Sequence, residues 1–197
     1  MTGRLVLVVG PSGAGKDSIL RYAIARFAGD DRFVFPKRCI TRIVDIAAED
    51  HDSLGEQAFD VQAAIGAFAL KWEAHGLKYG VRREIDEDLA QGRVVSVNVS
   101  RMILADIAHR YPMAVVVEIS ASPDIRAARI AARGRENATD IMRRIGRSAP
   151  TTLSKLQLNA ICNDGEISEA GGNFCRLLES IVSNSRSRVH TDFPIEK

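Results

Sequence analysis

Apolar residues along this chain follow two patterns: short unbroken aliphatic runs, and longer stretches where they return every three or four positions. Leu5–Val9 is continuous, aliphatic and too short for a helix, so it reads as a strand buried on both faces, and Met113–Ile119, nearly all aliphatic, reads as another strand. Arg93–Val99 joins them as a further core strand, and Gln157–Cys162 as the last. Between them lie helical periods. Ile19, Leu20, Ala23, Ile24 and Phe27 mark an amphipathic helix over Asp17–Phe27 that ends near Gly29. Ser100 caps a helix through about Arg110, and Ser122-Pro123-Asp124 opens another with proline in its first turn. Glu166–Val182 closes the series, interrupted at Gly171-Gly172, with a polar tail over 184–197. This alternation predicts an α/β fold, a parallel sheet covered by helices, with ligands beyond the carboxyl ends of the strands. Asn98, Ser100 and Ser120 stand at such ends.

The alternation breaks between the first helix and the second core strand. Phe33–Arg42 reads as extended, since Pro36 opposes a helix, and Asp45–Gly55 as an acidic loop. A short helix follows to about Ile65, with Ser53 as a cap for Glu56, then two strands within Phe68–Gly80 around a His75-Gly76 turn. Arg83–Ala90 is a charged helix closed by Gly92. Residues 33–92 thus form a lobe inserted into a core of 1–32, 93–132 and 149–183. Trp72, His75, Lys78 and Tyr79 are dense there in groups that stack or hydrogen-bond, although packing or surface exposure also accounts for each.

Charge and cysteine usage narrow the class. Lys and Arg number 27 against 25 Asp and Glu, a net charge of +2, so nothing favours non-specific nucleic-acid binding and any basic site is local. No apolar run reaches membrane-spanning length, and Leu5–Val9 is too short for a signal-peptide core. Cys39, Cys162 and Cys175, odd in number and widely spaced, suit reduced thiols in a cytoplasmic protein, with no zinc-type spacing.

The chemistry gathers at Gly10-Pro11-Ser12-Gly13-Ala14-Gly15-Lys16, which has the G-x-x-x-x-G-K spacing of a phosphate-binding loop between a strand and a helix. Its glycines bring backbone N–H groups to phosphate oxygens, the helix dipole adds positive potential, and Lys16 bridges the β- and γ-phosphates. A glycine-rich turn capping a helix without nucleotide is the plainer alternative. The position after the lysine, usually Ser or Thr, holds Asp17, followed by Ser18; a carboxylate is also a hard oxygen ligand for Mg²⁺. Lys37, Arg38 and Arg42 suit either an acceptor's phosphate or a solvated edge strand. Arg133, Arg135, Arg143, Arg144 and Arg147 crowd a Gly-Arg corner and suggest a lid closing over a transferred phosphate, whereas Arg126 and Arg129 suit a solvated helix.

With GPSGAGKDS at 10–18, RCITR at 38–42, EDH at 49–51, FALKWEAHGLKYG at 68–80, VNVSR at 97–101, RGRENATDI at 133–141 and NDG at 163–165, the chain resembles the guanylate-kinase-like branch of the nucleoside-monophosphate kinases. Within that branch it is most similar to the ribose 1,5-bisphosphate phosphokinases. The resemblance implies a three-layer P-loop kinase fold in one domain over 1–183, with an acceptor-binding lobe and an arginine-bearing lid at about 133–148. It implies ATP and Mg²⁺ as cofactors and γ-phosphate transfer to ribose 1,5-bisphosphate, giving 5-phosphoribosyl 1-diphosphate and ADP in phosphonate breakdown. Residue by residue, it implies that Gly10 to Ser18 bind ATP phosphates, with Lys16 catalytic and Asp17 and Ser18 near the metal. Arg133 and Arg144 become lid arginines, Asn163 and Asp164 pack against adenine, and Arg38, Arg42, His51, His75, Tyr79 and Asn98 bind the acceptor.

Two departures argue against guanylate as acceptor. Leu70 stands where guanylate kinases place a guanine-reading glutamate, and Ser96-Val97-Asn98 replaces their acidic strand end. A guanylate or other nucleoside-monophosphate kinase remains the alternative, and a non-catalytic module of the same fold, which commonly loses the phosphate loop, a more distant one. The partners expected are small molecules, with a homo-oligomer open and neither nucleic acid nor membrane.

Overall fold

The computed structural model describes residues 3–42, 51–132 and 156–187. The first part of the chain runs β1 (Arg4–Val9), α1 (Lys16–Arg26), β2 (Phe33–Val34), β3 (Arg38–Ile40), β4 (His51–Ser53), α2 (Glu56–Ala64), β5 (Phe68–Ala74), β6 (Leu77–Arg82) and α3 (Ile85–Ala90). It continues through β7 (Val94–Asn98), a 3-10 turn (Arg101–Ile103), α4 (Leu104–Arg110), β8 (Val115–Ser120), α5 (Pro123–Ala131), β9 (Gln157–Cys162) and α6 (Ile167–Ser187). The predicted α/β fold is present. Five strands form a sheet in the order β2-β7-β1-β8-β9, with parallel pairing of β2 to β7, β1 to β8 and β8 to β9. Leu5 to Val9 are each at most 2% exposed, as expected for a strand covered on both faces. The sheet order reverses at β1, and Gly10 begins the phosphate loop at that strand's carboxyl end, where parallel sheets open a crevice for ligands.

The described residues fall into two compact units, one drawn from those within Val6–Ala28 and Asn98–Arg176, the other from those within Met1–Leu5, Gly29–Val97 and Leu177–Lys197. In the first, Ile19, Ala23, Ile107, Val116, Val117, Ile119 and Phe174 are fully or almost fully buried. Gly171-Gly172 does not interrupt α6, contrary to expectation, and the helix runs to Ser187, four residues into the stretch expected to be tail. A Cβ on Gly171 would lie 2.5 Å from Cδ1 of Tyr22, so the missing side chain is what lets α6 approach the ring on α1.

In the second unit four strands order as β4-β3-β6-β5, with β3 parallel to β4 and antiparallel to β6. The β5–β6 hairpin turns at His75 (φ 55°) and Gly76 (φ 72°), the positive-φ pair that matches strand twist in a two-residue turn. His51–Ser53 is a strand and not part of a loop, and Leu54 N–H donates to Ile40 O at 3.0 Å. Ser53 therefore does not cap α2, which follows Gly55 without a side-chain cap. One face of this sheet packs on α2 through Cys39, Phe59 and Phe68, with the two phenylalanine rings 4.7 Å apart. Burial pushes the Cys39 thiol up, keeping it protonated, and Cys39, Cys162 and Cys175 form no disulfide. Among the described residues no helix is long and apolar enough to cross a membrane.

Candidate active site

The phosphate loop joins β1 to α1, and each strained position in it is explained by what lies behind it. Gly13 has φ 81°, and a Cβ there would sit 2.8 Å from Arg126 O, so α5 presses directly on the loop. Gly15 has φ 92°, and a Cβ there would collide with Asn163 Nδ2. Lys16 Nζ donates to Gly10 O at 2.9 Å and Pro11 O at 3.1 Å, holding its ammonium over the loop it is expected to serve.

Two side chains brace the loop from outside. Asn163, 2% exposed, donates from Nδ2 to Ala14 O at 2.8 Å, and Arg126, 4% exposed, donates from Nε to Ser12 O at 3.0 Å. A trans peptide holds its C=O and N–H antiparallel, so each bond turns the next residue's N–H, that of Gly15 or Gly13, away from the brace. This is how a loop is preorganised as an anion-binding nest. Arg126 is thus no solvated helix residue, contrary to the expectation from sequence. Arg129, on the same helix, has Nη1 buried without a hydrogen-bond partner among the described residues and 3.7 Å from a Cβ on Gly15. The signal for Arg126 was its spacing: Ile130, four residues on, is a buried core position, so the two share one helical face.

Asp17 lies in the first turn of α1, and Asn98 Nδ2 donates to its Oδ1 at 2.8 Å. Asn98, 7% exposed, is thereby tied to the loop from the end of β7. Ser18 follows in α1. Hard oxygens of these types suit Mg²⁺, which binds through one or two carboxylates together with substrate phosphates, although among the described residues no group of three or more Asp, Glu, His or Cys residues is placed to hold a metal ion. Asp164 accepts from Ser122 N–H at 2.6 Å, a bond that holds its carboxyl below the usual range and fixes the turn after β9 to the start of α5.

The lobe presents its own constellation. Register pairs Arg38 with His51 and Val81, and Ile40 with Ser53 and Tyr79, so these residues share one face with Leu70 and Trp72. On that face the Trp72 and Tyr79 rings stack 5.2 Å apart, and His51 Nε2 lies 3.3 Å from Ser53 Oγ. His51 and Leu70 are buried at 8% and 6% exposure. His75 is instead exposed at the hairpin tip, and Lys78 pairs with Asp60 of α2 at 2.5 Å. Arg42 follows β3 in a bend and is half-buried. Arg133 and Arg144 lie outside the described residues.

No protein-family model matches the chain. It is 42% identical over 185 residues to ribose 1,5-bisphosphate phosphokinase PhnN of Thiobacillus denitrificans, covering 94% of this chain and 97% of that protein. It is 44% identical over 180 residues to the protein of the same name from Brucella melitensis, covering 91% and 94%, and 48% over 159 residues to that of Methylobacterium radiotolerans, covering 81% and 90%. Among solved structures, a guanylate kinase from Anaplasma phagocytophilum superposes with a TM-score of 0.71 at 14% identity, covering 100% of this chain and 98% of that one. A gluconokinase from Sinorhizobium meliloti follows at a TM-score of 0.54 and 17% identity, covering 96% and 98%. These two likenesses establish a P-loop kinase fold.

Proposed function

The chain belongs to the ribose 1,5-bisphosphate phosphokinase PhnN family, and from that premise we propose that it transfers the γ-phosphate of ATP to the 1-phosphate of ribose 1,5-bisphosphate. The products are 5-phosphoribosyl 1-diphosphate and ADP, and phosphonate catabolism is the setting in which the step serves. An oxygen of the 1-phosphate attacks Pγ in line, the bond from Pγ to the bridging β-phosphate oxygen breaks, and ADP carries the electrons away. Phosphate is largely ionised at neutral pH, so no general base is required.

Each group has a role in this reading. The loop Gly10–Ser18 binds the ATP phosphates, with Lys16 against the transferred group as charge develops. Asn163 and Asp164 border the nucleotide through the loop and the adjoining turn. Asp17 with Ser18 would hold Mg²⁺, which would supply charge neutralisation to the polyphosphate. Arg38, Arg42, His51 and Tyr79 receive the acceptor, with His75 at its margin. Asn98 binds the acceptor in this reading, and its side-chain amide also donates to Asp17. Arg133 and Arg144 belong to the lid. A single domain over 1–183, with its lobe at 33–92 and lid at 133–148, completes the proposal.

One observation carries the choice of acceptor. Leu70, buried, stands beside Trp72 on the lobe face that holds Arg38, His51 and Tyr79. Guanine placed against it would leave N–H donors unsatisfied, costing roughly 1–3 kcal/mol per group, whereas a sugar bisphosphate brings only hydroxyls and anions to the cationic residues. The test is ³¹P NMR of the purified protein with ATP, Mg²⁺ and ribose 1,5-bisphosphate. A new diphosphate signal at carbon 1, equal in amount to the ADP formed and lost in Lys16→Ala, is expected. ADP formed without that signal would refute the reading.

A further inference from the structure

Arg126 is an arginine with 4% exposure on the helix face that also buries Ile130, and its guanidinium is spent on a backbone carbonyl of the phosphate loop. A buried guanidinium is costly unless it does something an apolar side chain of similar bulk would not. Three observations point to what that is. Nε fixes Ser12 O at 3.0 Å, which sets the Ser12–Gly13 peptide with its N–H turned from α5. The backbone of Arg126 meets the loop at Gly13, so side chain and main chain grip the same peptide. Arg101, whose Nη1 lies 3.4 Å from Glu118 Oε1, is near enough for its charge to act on Arg126. Burial first, and the Arg101 charge second, push the Arg126 guanidinium's proton affinity down, the direction that an anion in the loop would reverse.

We propose that Arg126 is a positioning residue for the polyphosphate of ATP: it orients the Gly13 N–H for a phosphate oxygen and sets a fixed positive charge behind the loop. The role is transmitted through the Ser12–Gly13 peptide, with no requirement that the guanidinium touch the nucleotide. It deepens the reading of the loop as an ATP site and rests on it, but not on the identity of the acceptor.

The test compares wild type, Arg126→Leu and Arg126→Lys in calorimetric titrations with ATP, inorganic tripolyphosphate and adenosine, alongside melting without ligand and the KM for each substrate. In Arg126→Leu, affinity for ATP and tripolyphosphate should fall roughly ten- to a hundredfold, the range for a hydrogen bond to a charged group. Adenosine affinity and the acceptor KM should stay within about twofold, the ligand-free melting temperature should hold or rise, and Arg126→Lys should recover part of the loss. Tripolyphosphate binding in Arg126→Leu within twofold of wild type would overturn the proposal. So would a parallel loss of adenosine binding, or an Arg126→Lys variant that folds yet binds no better than Arg126→Leu. If Arg126→Leu does not fold, the lysine variant decides: tripolyphosphate affinity reduced with adenosine affinity kept supports the role, and both reduced together refute it. Wild-type protein that binds ATP with this dependence but transfers nothing to ribose 1,5-bisphosphate would sink the proposed acceptor and leave the role of Arg126 standing.

Discussion

The side-chain amide of Asn98 donates to Asp17 Oδ1 at 2.8 Å, joining the end of β7 to the first turn after the phosphate loop. In the resemblance read from the sequence these are two of the positions that depart from the guanylate-kinase pattern, and here they are joined by a hydrogen bond. The carboxylate sits on the loop, and the strand end supplies the neutral donor that orients it. Outer partners of this kind typically alter metal affinity or activity 10- to 100-fold when removed. Asn98→Leu should therefore lower kcat/KM by about that factor and raise the Mg²⁺ concentration giving half-maximal rate, with metal-free ADP binding little changed. Mg²⁺ titrations of initial rate check this, and a curve superimposable on wild type would break the link between the pair and the metal.

What could be read from residues alone divides along local and long-range lines. β1, the loop and α1 follow from a contiguous pattern in which aliphatic run, glycines and lysine each impose their own conformation, and the structure places all three as expected. The His75-Gly76 turn was equally local. His51–Ser53 was missed because its strand character comes from pairing with β3, and three polar residues carry no alternation to reveal it. An arginine on a helix usually faces solvent, as the sequence suggests for Arg126, whereas its burial depends on a carbonyl 114 positions away. The continuity of α6 failed for the same reason, since glycine's weak helix propensity is outweighed by a contact with Tyr22 that only the fold creates.

Gly171 and Gly172 turn that last point into a contrast. A Cβ at Gly171 meets Tyr22 Cδ1 at 2.5 Å and Cγ at 2.6 Å, the fixed part of the ring, so Gly171→Ala should destabilise by about 1–3 kcal/mol. At Gly172 the nearest atom is Arg176 Nη1 at 3.7 Å, and Gly172→Ala should stabilise by about 1 kcal/mol through helix propensity alone. Urea denaturation of both variants measures the signs, and equal signs would mean that α6 does not approach Tyr22 as described.

Asp164 sets a pH dependence. The Ser122 N–H bond holds its carboxyl below the unfolded value of about 3.9, so its stabilisation is present above that pH and is lost as pH falls through the depressed folded value. Asp164→Asn keeps an acceptor but no charge. Its melting temperature should fall below wild type at pH 6 and converge on it only as pH falls through that depressed folded value. A difference that is constant with pH would remove the charged hydrogen bond from the account.

The central claim of the proposed function is that the phosphate acceptor is a sugar bisphosphate and not a purine nucleoside monophosphate. Measuring kcat/KM for ribose 1,5-bisphosphate and for GMP on one preparation, with ATP saturating, tests it most directly. Buried Leu70 predicts a preference for the sugar bisphosphate of about a hundredfold or more, the scale of discrimination expected when polar groups are left unpaired. Equal efficiencies, or a preference for GMP, would contradict it.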